Sequence, residues 1–445
     1  MAVKSHSMEI RLTPVRLVIL SIIGLLLIWV LASWIKRFIP PPVDAKWSKP
    51  IAMANMNFLC RWNGSAVAVG GDGAFRVLNE SGNWDEKNAR GFELTKNEAF
   101  APVIVDQHGP RAIFFHVTYS NKVQAIPSLV SVSMTPQKEF VAGKQTPLNG
   151  YGEDVMGKIP TTAGFKRDVH FFCNNGVMDE PELSISFIAR SQEVMERITS
   201  AGVRQHGIQS GPSLCGLITS SDQGLSWKTL GLPQFNTADQ SAVFKAGKTV
   251  CYLAADSAKN LWVSTKPANQ AVWSQPKLLC STLKGGFLGE AEAATLHLCW
   301  MDMRLKKGLG FFINGDWDIG RRNNQAFYRN YRDGDARWGK EIKLSGSLVY
   351  CEQPSMSVEG SRIVVVWHNM GETVRKPLGR RPSPYSRAAI YYATSKDNGR
   401  SWSKPTKIQD SENSAGMYPC PKVILHKQVI HVFYNGFYQH REFPD

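Results

Sequence analysis

Two copies of one polar stretch, SSDQGLSW at Ser220–Trp227 and TSKDNGRSW at Thr394–Trp402, decide the fold class of this 445-residue chain. Both fit the pattern Ser-x-Asp-x-Gly-x-Ser-Trp. In such a turn the Asp can accept backbone N–H bonds, the Gly can take positive φ, and the Trp can pack beneath. The pattern therefore predicts a repeated structural turn. Its structural residues would be Asp222, Gly224 and Trp227 in one copy and Asp397, Gly399 and Trp402 in the other.

Short β-rich runs repeat along the chain around these two turns. TVCYLAAD from Thr249, TLHLCWMD from Thr295 and IVVVWHN from Ile363 each end near a turn residue, and an aromatic residue opens a later segment of each unit. These aromatic residues are Trp84, Phe140, Trp227, Trp273, Trp338 and Trp402. The last three steps are 46, 65 and 64 residues. Repeats of this size predict an all-β protein, a β-propeller with four-stranded antiparallel blades.

The two ends of the repeat region are incomplete in opposite ways. Trp47 opens a last-strand segment, WSKP, before any first strand that could belong to it, whereas the C-terminal stretch from Met417 has first and second strands but no Trp-led last strand. Together they make one blade that closes the ring. This favours seven blades over six for a propeller that spans residues 47–445.

The repeated turn resembles the Asp-box, or BNR repeat, of the sialidase superfamily. In that family the turns lie at the periphery of the blades, away from the central site, so the resemblance implies a structural role for Asp222 and Asp397. It also implies a funnel site with three Arg that hold a carboxylate, a Tyr nucleophile activated by a Glu, and an Asp as acid/base.

Several residues occupy positions similar to the family's catalytic ones. Tyr418 in AGMYPCPKVIL looks like the nucleophile, Glu290 stands fourteen residues before Arg304 as the family's Glu and Arg do, and Arg61 and Asp72 follow the order of the first Arg and the acid/base. The Glu290 segment is also typical of a blade loop that ends in a surface Arg.

The chain departs from the family at two places. Arg61 is followed by Trp62 instead of Ile-Pro, and Glu352 begins a Glu-x-Pro lead-in after which His368 and Asn369 stand where an Arg would complete the site. The sequence therefore does not identify the third carboxylate-binding Arg. We take Arg387 as the candidate, and the other arginines of the long loops are Arg321, Arg329, Arg332, Arg380 and Arg381.

The N-terminal region predicts a membrane anchor. Residues 17–35 are nineteen residues without a charge, which is close to the roughly 20 that a helix needs to cross a bilayer. Residues 1–16 form a tail and residues 36–46 a linker. Basic residues flank the span on both sides, so charge does not decide the orientation. The family resemblance is what places the C-terminal domain outside the cytoplasm, in a periplasmic, luminal or extracellular location.

Charge and cysteine usage narrow the function classes. A net charge of +15 would attract anions, but the basic residues are spread out and no nucleic-acid motif accompanies them. The eight Cys form no CxxC pair, so we expect no zinc site, no other metal and no cofactor. Their even number leaves disulfides possible, while Cys251 and Cys299 lie in apolar strand patterns that predict buried thiols.

Two hypotheses follow for the function. The first is a membrane-anchored, extracytoplasmic, sialidase-like propeller that binds or hydrolyses acidic glycans. The second is a non-catalytic propeller that serves as an interaction or assembly scaffold for membrane-protein partners.

Overall fold

The computed structural model describes residues 22–29, 43–53, 56–70, 74–87, 89–90, 99–120, 124–148, 166–179, 182–198, 204–230, 240–268, 270, 272–302, 324–335, 337–346, 348, 351–369, 389–410 and 420–444. The chain forms two compact units, Met1–Pro42 and Val43–Asp445. In the first unit, residues 22–29 are helical and expose seven large apolar side chains, from Ile22 to Trp29. Within the described part of the chain, no helix combines the length and the hydropathy that a bilayer crossing requires.

The second unit consists of β-strands in sequential sheets. A short strand, β1 (Ile51–Ala52), comes first. Blade 1 contains β2 (Met56–Trp62), β3 (Ser65–Gly70), β4 (Phe75–Leu78) and β5 (Trp84–Lys87). The strand β6 (Ala89–Arg90) adds in parallel to the outer edge of blade 2, which contains β7 (Ala99–Val105), β8 (Arg111–Ser120), β9 (Gln124–Met134) and β10 (Phe140–Pro147).

Blades 3 to 5 continue the same order. Blade 3 contains β11 (Lys166–Asp179), β12 (Glu182–Ile198), β13 (Arg204–Ser220) and β14 (Lys228–Leu230). Blade 4 contains β15 (Gln240–Ala246), β16 (Thr249–Ala255), β17 (Leu261–Pro267) and β18 (Lys277–Cys280). Blade 5 contains β19 (Leu283–Glu292), β20 (Thr295–Asp302), β21 (Gln325–Arg332), β22 (Arg337–Trp338) and β23 (Ile342–Lys343).

The last two blades complete the ring. Blade 6 contains β24 (Cys351–Glu359), β25 (Arg362–Asn369), β26 (Ala389–Ser395) and β27 (Thr406–Asp410). Blade 7 contains β28 (Lys422–His426), β29 (Val429–Tyr434) and β30 (Phe437–Glu442), and β1 pairs with β30 as its fourth strand. The first strand of each blade contacts the first strand of the next, and β28 contacts β2. The prediction of seven antiparallel, four-stranded blades is therefore confirmed.

Both chain ends build blade 7, as the incomplete segments predicted. Ile51 pairs with Tyr438, and the backbone N–H of Ser48 donates to the carbonyl of His440 at 2.9 Å. Trp47 is buried against Tyr392 at a ring-centroid distance of 5.4 Å. The segment that leads into β1 thus also packs on blade 6. This contact joins blades 6 and 7.

Apolar side chains fill the spaces between blades. Trp62 and Phe75 of blade 1 pack with Phe140 of blade 2, and the Phe75 and Phe140 rings stack at 4.2 Å. Trp300 of β20 lies in the cluster between blades 4 and 5. The inner strands of the blades offer alternate side chains to the two neighbouring blades, so these side chains are buried on both faces.

The first strands run in the same direction around the central channel. Val423 N–H of β28 donates to Ser355 Oγ of β24 at 3.1 Å, and the equivalent bond from Leu425 to Ser357 Oγ is 3.0 Å. All turns between first and second strands consequently gather at one end of the ring, with the connections between third and fourth strands. We call this end the hairpin rim; its turns include residues 63–64, 293–294, 360–361 and 427–428.

We call the opposite end the insertion rim. There the first strands begin, and second strands connect to third strands. The described strand ends at this rim in blades 5 and 6 include Leu283, Asp302, Gln325, Cys351, Asn369 and Ala389.

Blade 3 differs from the short strands that the sequence predicted. Strands β12 and β13 have 17 residues each, whereas second strands elsewhere have 6 to 10. Lys166 of β11 pairs with Val194, and the β12–β13 ladder continues to Ile198 and Arg204. A three-stranded extension of about 30 Å therefore continues blade 3 on the side of the insertion rim.

Candidate functional site

Arg61 makes an ion pair across the central channel. Its Nη2 lies 3.2 Å from Glu290 Oε1 and 2.8 Å from Glu292 Oε2, although Arg61 belongs to blade 1 and both acids to blade 5. Blades 6 and 7 separate them on one side of the ring and blades 2 to 4 on the other, so the guanidinium must reach over the channel. The three side chains are only 13%, 22% and 25% exposed.

The same carboxylates also bind the backbone of the next blade. Val358 N–H donates to Glu290 Oε2 at 3.1 Å, and Gly360 N–H donates to Glu292 Oε1 at 3.3 Å. Glu359 repeats this contact one blade later, where it accepts from Lys427 N–H at 2.8 Å. At the hairpin rim these carboxylates therefore satisfy turn N–H groups and tie blades 5, 6 and 7 together.

The environment of Glu290 shifts its acidity. Burial raises the pKa of Glu290 to about 7, against the lowering effects of the Arg61 charge and of the Val358 N–H. The nearby Glu292 charge adds to the increase. Desolvation outweighs the ion pair here, because the carboxylate is largely buried and has lost most of its contact with bulk water.

The structure brings two predicted site residues together, Arg61 and Glu290, at the hairpin rim. The other members of the predicted site, Tyr418, Asp72, Arg304 and Arg387, lie outside the described residues. The described strand ends on either side of them in sequence, Gly70, Asp302, Ala389 and Lys422, belong to the insertion rim. Val358, which donates to Glu290, occupies the position in β24 that Leu425 occupies in β28. Leu425 lies three residues, or about 10 Å along the strand, from Lys422 at the insertion rim, so Glu290 is separated from that rim by a similar distance.

One of the alternative arginines is engaged inside its own blade. Arg329 Nε donates to the carbonyl of Gly339 at 2.7 Å, and its guanidinium lies over the Trp338 ring at 6.0 Å. Arg329 thus packs on the outer strands of blade 5 and does not face the channel with Arg61.

The first Ser-x-Asp-x-Gly-x-Ser-Trp turn is held by its own side chains. Ser226 N–H donates to Asp222 Oδ1 at 2.9 Å, and the Ser220 hydroxyl donates to the same oxygen at 2.6 Å. Hydrogen bonds from Ser220 and Ser226 hold the pKa of Asp222 well below its usual range. Gly224 has φ +87°, and Trp227 is buried between blades 2 and 3.

The second turn repeats this arrangement in blade 6. Ser401 N–H donates to Asp397 Oδ1 at 2.9 Å, and Gly399 has φ +78°. Burial acts to raise the pKa of Asp397, but hydrogen bonds from Ser401, Ser395 and the Arg400 N–H lower it to about 2. Both carboxylates hold their turns at the hairpin rim, away from the channel.

A polar cluster lies at the insertion rim between blades 5 and 6. Glu352, at the start of β24, has its Oε2 3.6 Å from His368 Nε2, and its Oε1 accepts from Asn324 Nδ2 at 3.4 Å. His368 and Asn324 are fully buried, whereas the Glu352 side chain is 28% exposed. The sequence marked Glu352 as the start of a Glu-x-Pro lead-in and His368 as a departure from the motif that follows it. No sequence motif pointed to Asn324, because its contact with Glu352 depends on how blades 5 and 6 pack.

The described residues offer no evident metal centre. No group of three or more His, Cys, Asp or Glu side chains among them could hold an ion. The eight Cys form no disulfide with one another. Cys251 and Cys299 are buried, which confirms that part of the prediction. Burial raises the pKa of Cys251 to about 12.

Comparisons with known proteins give only distant likenesses. No protein-family model and no curated protein sequence matches the chain. The BP39L lectin from Burkholderia pseudomallei has 11% identity and a TM-score of 0.44, over 87% of this chain and 92% of the lectin. A PL25 polysaccharide lyase, an ulvan lyase, has 10% identity and a TM-score of 0.41, over 91% and 95%.

A third solved structure is similarly distant. The WD40 domain of SCAP from fission yeast has 11% identity and a TM-score of 0.37, over 91% of this chain and 97% of that domain. All three TM-scores are below 0.5, so the fold assignment rests on the strand topology of this chain.

Proposed function

We propose that the protein is a membrane-anchored, extracytoplasmic propeller that binds acidic glycans at its insertion rim. One observation carries the proposal: the two most basic insertions of the chain join strand ends of neighbouring blades at this rim. Segment 303–323 connects β20 to β21, and segment 370–388 connects β25 to β26. β24 of blade 6 contacts both β20 and β21.

The composition of these two segments favours an anionic ligand. Together they contain ten Lys and Arg residues and three acidic residues. Arg pairs with carboxylates in two-point contacts, and aromatic side chains such as Trp317 and Tyr385 suit stacking on sugar rings. Basic groups concentrated at one end of the ring would raise the local concentration of an acidic ligand.

Binding is a better supported activity than hydrolysis. In hydrolysis of the sialidase type, Arg61 would hold the substrate carboxylate and Glu290 would activate the Tyr nucleophile. The two side chains are instead engaged with each other across the channel. Hydrolysis through Tyr418 and Asp72 stays a second candidate that depends on the sequence resemblance alone.

The anchor is part of the proposal. Its support is the uncharged stretch 17–35 and the exposed apolar side chains of the helix at residues 22–29. Protease accessibility on intact cells tests the extracytoplasmic location. Digestion that begins only when the membrane enclosing the cytoplasm is opened, with internal compartments still sealed, would contradict it.

Binding can be tested with the soluble fragment 43–445 by titration calorimetry against 3′-sialyllactose and lactose. We expect binding of the acidic sugar only. The triple variant Arg304→Ala, Lys306→Ala, Lys307→Ala should weaken it by about tenfold or more, because each lost contact to a charged group contributes about 1.5–3 kcal/mol.

A matched variant at the hairpin rim provides the control. Lys228→Ala, Lys396→Ala and Lys404→Ala together remove the same number of positive charges, and all three of these side chains are exposed. Equal weakening in both variants would show a general charge effect and contradict a site at the insertion rim. Absence of glycan binding, with membrane proteins still captured by the fragment, would favour the scaffold.

Hydrolysis has its own test with a fluorogenic sialoside. Turnover that is lost in Tyr418→Phe would add catalysis to binding. Binding without turnover would leave the protein a lectin-like propeller.

A further inference from the structure

We propose that Asn63 is a modification site that carries an N-linked oligosaccharide. Asn63, Gly64 and Ser65 form the acceptor sequence Asn-x-Ser in a surface turn at the hairpin rim. Acceptor sequences of this kind are used in chains that enter the secretory pathway, so the inference rests on the extracytoplasmic location in the proposed function. The site is separate from the insertion rim, where the proposed ligand binds.

Asn63 and Gly64 are the two residues of the tight turn between β2 and β3. Both have positive φ, 49° and 70°, and Asn-Gly is the preferred sequence for a two-residue hairpin turn of this kind. The backbone N–H of Asn63 donates to the carbonyl of Asp106 at 3.1 Å, and that of Gly64 donates to the carbonyl of Gln107 at 2.8 Å. These bonds hold the turn against blade 2, so its backbone has a fixed place at the surface.

The turn explains Asn63 and Gly64 but not the hydroxyl group that follows them. A second Asn-Gly turn with two positive φ values, Asn435-Gly436, joins β29 to β30 and is followed by Phe437. Asn435 Nδ2 is buried there and has no hydrogen-bond partner among the described residues, whereas the Asn63 side chain is exposed. The first turn therefore has two features that its geometry does not require, an exposed amide and a hydroxyl two residues later.

The fold does not use the side-chain polar groups of the acceptor sequence. Within the described part of the chain, no side-chain hydrogen bond engages the amide of Asn63 or the hydroxyl of Ser65. An N-linked oligosaccharide is bulky and hydrophilic, and it needs an acceptor at the surface. Substitution of Asn63 Nδ2 by a sugar would therefore break no contact within the described structure.

A second acceptor sequence, Asn-Glu-Ser at residues 79–81, lies in blade 1 at the same rim, but its Asn is part of the fold. Asn79 Nδ2 donates to Asp85 Oδ1 at 3.0 Å, and Asn79 Oδ1 accepts from the N–H of Asn83 at 2.9 Å. These bonds hold the turn between β4 and β5. A sugar on Asn79 would replace a hydrogen of an amide that this turn uses, so Asn63 is the better acceptor.

The co-substrate for this modification is an oligosaccharide linked to a lipid through a diphosphate. Asn63 Nδ2 forms a bond to C1 of the first sugar, and the bond between C1 and the diphosphate oxygen breaks. The amide loses one proton, and the lipid diphosphate leaves. A membrane-bound transferase of the secretory pathway acts on the chain before it folds, so the folded turn has only to leave the product exposed.

The test is cell-free translation of the full chain in the presence of rough microsomes. Ser65→Ala removes the acceptor hydroxyl and keeps the Asn-Gly turn, Ser65→Thr keeps the hydroxyl, and Ser81→Ala is the matched control in the second acceptor sequence. We expect a glycosidase-sensitive gel shift in wild type, Ser65→Thr and Ser81→Ala, and its complete loss in Ser65→Ala. Release of the oligosaccharide by peptide N-glycosidase in heavy-oxygen water should leave the label at position 63 in peptide mapping.

Protease protection of the C-terminal domain in the same sealed microsomes separates the modification from the proposed location. If the domain is protected but Asn63 is not modified, the modification is wrong and the location stands. If the gel shift persists in Ser65→Ala and is lost in Ser81→Ala, Asn79 is the acceptor and the inference fails. If the domain is digested, the extracytoplasmic location fails and the modification fails with it.

Discussion

The two rims of the propeller use carboxylates in different ways. At the hairpin rim, Glu290, Glu292 and Glu359 accept backbone N–H groups from the next blade, and Arg61 crosses the channel to join them. At the insertion rim, Glu352 is backed by buried side chains on a strained bulge. The contacts at the first rim join neighbouring blades, and the second rim is where we propose that a ligand binds.

Contacts that hold the ring of blades together differ from groups that could bind a ligand. Closure needs all seven blades to keep their spacing, and short polar contacts at turns provide it. A binding site needs polar groups that can form hydrogen bonds or ion pairs with a ligand in addition to their contacts within the fold. We therefore expect substitutions at the hairpin rim to change stability and substitutions at the insertion rim to change binding.

The largest effect on stability should come from the glycine of the second Ser-x-Asp turn. In Gly399→Ala the new Cβ would collide with the hydroxyl of Tyr328, and φ is +78°. We expect a loss of about 3 kcal/mol in the free energy of unfolding, from backbone strain and overpacking together. Urea denaturation measures it.

The equivalent glycine of the first turn is the matched control. At Gly224, φ is +87° but the nearest atom to a new Cβ would be 3.5 Å away, on Trp227. Gly224→Ala should therefore lose only about 1 kcal/mol. Equal losses at the two positions would show that the close contact between Gly399 of blade 6 and Tyr328 of blade 5 does not contribute to stability.

The next effect concerns the pair that crosses the channel. Arg61→Ala leaves Glu290 and Glu292 close together without their cation, and we expect it to destabilise the fold by about 2 kcal/mol. The exposed pair Arg90–Glu139, with side chains 73% and 42% exposed, is the control. Arg90→Ala should change stability by less than about 0.5 kcal/mol. A negligible effect of Arg61→Ala would mean that the channel contact does not stabilise the ring.

A smaller effect should appear as pH dependence. The pKa of Glu290 is about 7 in the folded protein against 4.5 for the ordinary group, so the folded state binds more protons between these values. Stability should therefore fall as pH rises from about 4.5 to 7. Glu290→Gln should flatten this decrease, as measured by urea denaturation at several pH values. Glu292→Gln is the comparison, and an unchanged profile in Glu290→Gln would exclude Glu290 as the source.

The smallest effect on stability belongs to the insertion rim. Glu352→Gln keeps an acceptor for Asn324, so we expect a change of about 0.5 kcal/mol or less in the free energy of unfolding. Thermal and urea unfolding of fragment 43–445 check this value. A loss comparable to that of Arg61→Ala would place Glu352 among the structural carboxylates and remove the contrast between the rims.

Local patterns explain which parts of the fold were predictable. The turn residues and the alternating strands act over a few residues, and Trp47 revealed the closure because its segment lacked a first strand. The long strands of blade 3 were missed because Gly207, Gly211 and Pro212 give turn signals inside β13. Pairing with β12 overrides those signals.

The candidate site was predictable only in part. Arg61 and Glu290 were found as motif matches, but their contact joins residues 229 positions apart and depends on the channel width. Motifs sought an Arg near Glu352, so the cluster with His368 and Asn324 could not be foreseen. The bulge at Gln353 leaves no trace in residue spacing.

The most direct test of the central claim is photo-crosslinking with a diazirine derivative of 3′-sialyllactose, followed by peptide mapping. The claim is that a ligand binds at the insertion rim. It predicts labelled peptides from residues 303–325, 349–355 and 370–389, with protection by unlabelled sugar. Protectable labelling confined to residues 61–64, 359–362 and 427–429, at the hairpin rim, would contradict it.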